Sequence, residues 1–195
     1  MQWRSLRRSL IMMLALGSST FFVTQSKILA SPAQAIQAQS LEMQARQSFF
    51  SHPPQLIRTA ASQISTYTPS TYEFTIALPE NAGQPLKAVK ITQEPNFETI
   101  KFATNRSQAF AGNRYAAGPQ IALASLGGTE DPAGGVTIVF DQPVQPGQTV
   151  TVSLEANANP SWSGVYLFGV TAYPEGESSR GQFLGYGRFH FYGNS

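Results

Sequence analysis

Apolar and polar residues alternate along two segments near the end of the chain, residues 164–174 and 181–192. A period of two places successive side chains on opposite sides of the backbone, which is the pattern of a β-strand. The segment between them, residues 175–180, is short and rich in Gly, Glu and Ser, a composition that favours a turn. The three segments together predict a β-hairpin that closes an all-β domain.

The same alternation recurs earlier in the chain. It is clearest in residues 72–78, where aromatic and aliphatic residues occupy every second position. Other apolar sets with this spacing are Val89 and Ile91; Ile100 and Phe102; Ile121 and Leu123; Val136, Ile138 and Phe140; and Val150, Val152 and Leu154. Turns rich in Gly and Pro separate them, as in residues 79–83, 127–135 and 141–148. Seven or eight strands without a long helix predict an antiparallel β-sandwich, with an immunoglobulin-like arrangement preferred and a jelly roll as the alternative.

The hairpin can be paired residue by residue. We predict that Tyr173 pairs with Phe183, which places Gly169 opposite Gly187. One face of the hairpin is then apolar and consists of Val165, Leu167, Phe189 and Phe191. The two glycines leave a gap in this face that a bulky side chain from the opposite sheet would fill. The candidates for that side chain are Trp162 and Phe74.

The second face of the predicted hairpin is aromatic and cationic. It holds the six candidate ligand-binding residues Tyr166, Phe168, Tyr186, Arg188, His190 and Tyr192. Aromatic rings stack on flat ligands, and Arg and His donate hydrogen bonds, so this face suits a sugar or a peptide. The alternative is that Arg188 and His190 only solvate the outside of the sheet, while the rings supply β-propensity.

Residues 1–35 resemble an export signal. The positive charges at its start are Arg4, Arg7 and Arg8. A mostly apolar run over residues 10–23 follows, and Ala33-Gln34-Ala35 offers a cleavage site flanked by small residues. We therefore predict an extracytoplasmic protein located in the periplasm, in a thylakoid lumen or outside the cell. Retention of the segment as an uncleaved anchor is the alternative; after cleavage no membrane span is predicted.

The chain after the leader is predicted to be one domain. Residues 36–52 are polar and form a tether, with a short helix as the alternative, and the β-sandwich domain covers residues 53–195. Without the leader the chain carries nine basic and eleven acidic residues, so a nucleic-acid partner is not expected. The chain has no cysteine, which predicts an exported domain stabilised by packing, without disulfides.

The chemistry of the side chains argues against an enzyme. There is no cysteine, the two histidines are His52 and His190, and no G-x-S-x-G motif is present. We predict no metal site and no cofactor, because all the methionines precede the domain and the acidic loops match no calcium motif. The alternative is a hydrolase of envelope polysaccharide that uses the loop carboxylates Glu130, Asp131, Glu175 or Glu177.

Four stretches of the chain, residues 72–91, 139–152, 159–176 and 181–192, resemble a family of exported cyanobacterial proteins of unknown function. The last stretch reads GQFLGYGRFHFY. The resemblance covers residues 53–192 and implies an extracytoplasmic location, but no activity, cofactor or catalytic residue. We therefore expect a non-catalytic exported module that binds an envelope protein or a surface polysaccharide, or that has a structural role at the cell envelope.

Overall fold

The computed structural model describes residues 33, 36–37, 47–128 and 135–193. The predicted leader, apart from Ala33, and the loop acids Glu130 and Asp131 lie outside the described residues. The fold reported below belongs to the unit formed by residues 39–195.

The described part of this unit contains twelve strands and no α-helix. The first six are β1 (Gln47–Ser48), β2 (Gln55–Ala61), β3 (Ser70–Ala77), β4 (Leu86–Gln93), β5 (Gln108–Ala111) and β6 (Gln120–Ile121). The other six are β7 (Leu123–Gly128), β8 (Val136–Val144), β9 (Thr149–Ala156), β10 (Gly164–Pro174), β11 (Ser178–Ser179) and β12 (Gln182–Phe191). A short 3-10 helix, Thr104–Arg106, precedes β5.

The long strands form two five-stranded antiparallel sheets. The first, called here the hairpin sheet, has the order β12-β10-β4-β8-β7, and the second sheet has the order β2-β3-β9-β5-β6. The short strands β1 and β11 form a separate parallel pair. The predicted all-β antiparallel sandwich is confirmed.

Large side chains from both sheets meet in the core. Tyr72 and Phe74 of β3 pack against Phe168 of β10 and Phe189 of β12, with ring centroids 5.1 to 6.0 Å apart. Burying each such ring contributes about 1.5–3 kcal/mol. Phe74 also fills the space above Gly187, where an added Cβ would lie 2.9 Å from Phe74 Cε1. The predicted gap between two facing glycines does not form, because Gly187 pairs with Phe168 and Gly169 with Tyr186. The space over Gly187 alone is occupied by Phe74, and Trp162 is exposed.

The folded region begins earlier than we predicted. β1 lies inside the segment interpreted as a tether, and it pairs with Ser178–Ser179, inside the segment interpreted as a plain turn. Phe50 follows it and is buried in the core. The start predicted at residue 53 is therefore too late, because two residues of strand and one apolar ring are too short to produce a recognisable periodicity.

Further interpretations of local structure need correction. Ile121 and Leu123 do not share a strand, since they lie in β6 and β7, which belong to different sheets. β2 and β5 were not recognised as strands, because their sequences QLIRTAA and QAFA do not alternate cleanly. Ile100 and Phe102 do not form a strand, and Phe102 makes only an isolated bridge to Ala156. The turn predicted over residues 141–148 is shorter, since β8 continues to Val144.

Candidate functional site

The register of the hairpin decides which candidate residues share a face. In the structure Tyr166 pairs with Phe189 and Phe168 pairs with Gly187, one residue away from the predicted pairing. The predicted register is therefore wrong. The larger rings of Tyr166 and Phe168 take the core side in place of the smaller Val165 and Leu167, because they bury more apolar surface there.

Tyr166 and Phe168 consequently lie apart from the other four candidates. Both are buried, and the Tyr166 hydroxyl donates to the carbonyl oxygen of Trp162 at 3.1 Å. Burial, and then the nearby Glu98 carboxylate, raises the pKa of the Tyr166 phenol. Both side chains thus contribute to the core of the sandwich and do not reach a surface ligand.

Three of the remaining candidates line one groove. Arg188, His190 and Tyr192 are exposed and occupy alternate positions along β12 and the residue that follows it. The opposite wall comes from Thr59, Ala60, Ala61 and Ile64, in or just after β2. We call this space the β2–β12 groove; its volume is about 340 Å³.

The fourth exposed candidate, Tyr186, lies elsewhere on the hairpin. Its ring packs edge-on against Phe183, with centroids 5.1 Å apart. Both rings cover Gly169, the cross-strand partner of Tyr186, and keep that glycine buried on the outer face of the sheet. Tyr186 is therefore a neighbour of the groove on the same strand, and it does not line the groove.

The groove exists because two sheet edges run side by side. β12 is an edge strand of the hairpin sheet and β2 is an edge strand of the second sheet. One end of the groove is closed by backbone hydrogen bonds: Thr66 N donates to Tyr192 O at 3.0 Å, and Tyr192 N donates to Ile64 O at 2.9 Å. Tyr192 is thereby held in place at the closed end.

A buried side chain anchors the wall on the β2 side. The amide of Asn159 donates to the carbonyl oxygens of Gln63 and Ser65, at 3.0 and 2.8 Å. Its Oδ1 accepts a hydrogen bond of 2.7 Å from the Tyr72 hydroxyl. Burial, and in second place Tyr166, raises the pKa of Tyr72, so this phenol remains a proton donor. The β2 side of the groove is therefore joined to the core by hydrogen bonds through Asn159 and Tyr72.

The described lining of the groove presents cationic and aromatic side chains to solvent. The side chains of Arg188 and His190 make no hydrogen bond or ion pair with any residue that the structure describes. Within the same described part of the chain, no lining residue is acidic, and none is a cysteine or a serine. The site therefore offers a guanidinium, an imidazole and a half-exposed phenol to a ligand, and the hydroxyl of Thr59 lies on the opposite wall.

A second exposed feature was not recognised from the sequence. The rings of Phe97 and Trp162 lie 6.3 Å apart, and they are 91% and 65% exposed. We call these two residues the aromatic platform. Each lies in a loop between turn-forming residues, Pro95-Asn96 before Phe97 and Pro160-Ser161 before Trp162. In the sequence, the platform is marked by an aromatic residue next to Pro, Asn and Ser. Such a residue belongs to no hydrophobic periodicity, so the sequence does not predict that the two rings meet.

Hydrogen bonds join the two loops that carry the platform. Glu98 Oε2 accepts from both the backbone N and the Oγ of Ser161, at 2.7 and 2.6 Å. The side-chain amide of Asn96 donates to Val165 O at 2.9 Å. The Glu98 backbone is in turn bound by the Gln93 amide at 2.7 Å. The rings are thus exposed on loops whose backbones are held in place.

Of the four loop carboxylates predicted as an alternative catalytic site, two lie in the described residues, and one of them, Glu175, lines a cavity together with Asp141. Glu175 and Glu177 are exposed. Glu130 and Asp131 lie outside the described residues. Across the ranges that the structure covers, no cluster of three or more His, Cys, Asp or Glu could hold a metal ion. The same ranges contain no helix with the length and apolarity needed to cross a membrane.

Comparison with known proteins adds the following. No curated protein matches the chain. Solved structures with a similar arrangement include the bacterial hydrophobin BslA, at 12% identity and TM-score 0.41, over 73% of this chain and 100% of that one. An uncharacterised immunoglobulin-like protein of Nocardia farcinica matches at 14% identity and TM-score 0.39, over 68% and 95%. The collagen-binding subdomain of the Enterococcus faecalis surface protein ACE matches at 6% identity and TM-score 0.40, over 76% and 97%.

A family model matches residues 47–191, and these bounds coincide with the first residue of β1 and the last residue of β12. The match includes the whole sandwich, with Arg188 and His190 of the groove and both rings of the aromatic platform. By this match, the chain belongs to the family described as proteins of unknown function, DUF2808.

Proposed function

We propose that the protein is a non-catalytic exported module that binds an acidic polysaccharide of the cell envelope in the β2–β12 groove. One observation carries the proposal: Arg188 and His190 are exposed beside Tyr192 and have no partner among the described residues. Exposed polar side chains gain most from a ligand when no protein group already satisfies them.

The groups in the groove match an anionic sugar. A guanidinium binds a carboxylate or sulfate with two parallel hydrogen bonds. The Tyr192 ring, 59% exposed, offers an apolar surface to the face of a sugar ring. Because no acidic residue of the described chain lines the groove, an anionic ligand meets no repulsion there.

The shape of the groove favours a polymer. Alternate residues of a strand are about 6.6 Å apart, so Arg188, His190 and Tyr192 form a row about 13 Å long. A row of this length contacts more than one sugar unit of an extended chain. Its three side chains repeat at regular spacing, as do the units of a polymer.

The proposed location follows from the leader. Residues 1–35 have the charge, the apolar run and the small-residue site of an export signal. A protein delivered beyond the cytoplasm meets the acidic polysaccharides of the envelope. The absence of cysteine agrees with a domain that is stabilised by its core alone.

The test is binding of the full-length protein to polygalacturonate, with uncharged dextran as the reference polymer, by isothermal titration calorimetry. Arg188→Ala/His190→Ala should weaken binding to polygalacturonate at least about tenfold, and added salt should weaken binding by the wild type. The matched control is Arg180→Ala/His52→Ala, which removes the same two residue types from exposed positions elsewhere. The proposal would be contradicted if both double variants lost affinity for polygalacturonate equally. It would also be contradicted if the wild type bound dextran as tightly as polygalacturonate.

A second measurement tests the non-catalytic part of the proposal. The protein is incubated with the same polysaccharides, and released reducing ends are measured. We expect no release above the buffer reference. Release that disappears in Glu175→Gln or Glu177→Gln would instead support the hydrolase alternative and overturn this part of the proposal.

A further inference from the structure

We propose that the aromatic platform, Phe97 and Trp162, is a second binding site, which takes the apolar face of an uncharged sugar ring. This inference goes beyond the function proposed for the β2–β12 groove and does not rest on it.

The two rings are exposed far more than packing requires. Phe97 is 91% exposed and Trp162 is 65% exposed, while the core rings Tyr72, Phe74 and Phe168 are fully buried. Exposed apolar surface costs free energy in proportion to its area, and a Trp or Phe ring carries a large area. Adjacent exposed rings on one surface are typical of a binding site.

Several hydrogen bonds fix the two loops from which these exposed rings extend. Glu98 accepts two hydrogen bonds from Ser161, the residue before Trp162. The Tyr166 hydroxyl donates to the carbonyl oxygen of Trp162 itself. On the other loop, Asn96 Oδ1 accepts from Phe97 N at 2.8 Å, while its amide donates to Val165 O. Loops held in this way lose little conformational entropy when a ligand binds.

The local charge disfavours an anionic ligand. Residues 94–99 and 160–165 contain two carboxylates, Glu94 and Glu98, and no Lys, Arg or His. Anionic polymers and anionic lipid surfaces are therefore not attracted to these loops, and segments that dock on membranes usually carry cations beside their aromatic residues. This is the opposite of the β2–β12 groove, whose lining residues include a cation and no acid.

The geometry of the rings suits the C–H face of a sugar. Their planes are tilted by 37°, so the two rings do not meet edge-to-face, and both are exposed to solvent. The electron-rich faces of aromatic rings attract the positively polarised C–H groups of a sugar ring. Thr99 and Ser163, in the same loops, are exposed and make no hydrogen bond within the described chain, so their hydroxyls are available to a sugar's hydroxyl groups.

Intrinsic fluorescence can report this site directly. The chain has two tryptophans, Trp3 and Trp162, so in the full-length protein with Trp3→Phe the emission comes from the platform alone. This protein is titrated with the uncharged oligosaccharides cellohexaose, xylohexaose and mannohexaose. We expect a saturable shift of the emission to shorter wavelength with at least one of them, because the sugar displaces water from the indole ring.

The variants separate this site from the groove. Phe97→Ala should weaken the affinity for the responding sugar about tenfold, and it should leave the fold intact, because Phe97 is almost fully exposed. Phe183→Ala is the control, since it removes a half-exposed ring that lies on β12 instead of in the two loops of the platform. Arg188→Ala/His190→Ala should leave the response unchanged, so failure of the groove proposal and failure of this one give different results.

Three outcomes would overturn the inference. The first is an emission spectrum that none of the three sugars changes. The second is sugar binding that Phe97→Ala and Phe183→Ala weaken equally. The third is an emission shift that only vesicles of phosphatidylcholine and phosphatidylglycerol produce, which would make the platform a membrane-docking element.

Discussion

The β2–β12 groove and the aromatic platform differ in how the chain holds their side chains. In the groove, Arg188 and His190 extend from a regular strand, and their positions follow from its pairing with β10. On the platform, Phe97 and Trp162 lie in irregular loops, and their positions follow from hydrogen bonds such as Ser161 to Glu98. The two regions also differ in charge, since one offers a cation and the other lies among carboxylates.

This difference shows how one sandwich can present two kinds of surface. A strand edge places polar side chains in a row, at a spacing that the backbone sets. A loop can present two rings side by side only when other residues hold it there. We therefore expect substitutions in the hydrogen-bond network of Tyr72 and Asn159 to alter the groove. Substitutions that break the hydrogen bonds between Ser161 and Glu98, called here the loop clamp, should alter the platform. The four predictions below test this separation.

The largest effect is expected for Asn159→Ala, which removes the anchor of the β2 side of the groove. The substitution leaves the buried Tyr72 hydroxyl and the carbonyl oxygens of Gln63 and Ser65 without their partner. We expect a loss of about 2–4 kcal/mol in the free energy of unfolding, measured by urea denaturation. Asn157→Ala, at an exposed position, is the control. An equal loss of unfolding free energy in both variants would show that Asn159 does not anchor the β2 side of the groove.

Gly187→Ala should be the next most damaging change. A Cβ at this position would lie 2.9 Å from both Phe74 Cε1 and Thr59 Cγ2, and Thr59 lines the groove. We expect a loss of about 1–3 kcal/mol in the free energy of unfolding, together with weaker binding in the groove. Gly127→Ala is the matched control, because no atom lies within 4 Å of the added Cβ. A Gly187 variant as stable as this control would show that Phe74 moves aside at little cost.

Alkaline pH should weaken the core beneath the groove. The pKa of Tyr72 is raised in the folded protein above its ordinary value of 10.0, and that of Tyr166 is raised in the same direction. Stability is therefore unaffected below about pH 10 and falls above it, because the unfolded chain releases these protons first. The loss from Tyr72 alone steepens through pH 10 and approaches a limit of about 1.4 kcal/mol per pH unit above it. Thermal unfolding of wild type and Tyr72→Phe between pH 9 and 11 measures the slope, which should be smaller in the variant.

The smallest effect on stability is expected for Ser161→Ala. The variant loses the hydroxyl hydrogen bond to Glu98 but keeps the one from the backbone N. We expect a loss of about 1 kcal/mol or less in the free energy of unfolding. The fluorescence anisotropy of Trp162, measured with Trp3→Phe, should fall as the loop loosens. Ser163→Ala, on the other side of Trp162, is the control, and identical anisotropy in both variants would argue against the clamp.

Much of the fold could be predicted from the amino-acid sequence, but only part of the candidate site could be. Strands with clear alternation, such as β3, β9 and β10, were located, while β2 and β5 were missed because their patterns are broken by small or polar residues. Of the six candidate residues, Arg188, His190 and Tyr192 come together in one groove, and Tyr186 lies nearby. Tyr166 and Phe168 fall on the core side, because a shift of one residue in register exchanges the two faces of a strand.

Local patterns of residues suffice for the all-β class, for the positions of the regular strands and for the core-facing side of β12, because each of these follows from residues close together in the chain. The hairpin register, the neighbourhood of the β2 and β12 edges and the pairing of Phe97 with Trp162 depend on the packed fold. Glu98 and Ser161 are 63 residues apart, and Asn159 and Tyr72 are 87 apart. Contacts at such separations depend on how whole sheets pack, and no local pattern of residues encodes them.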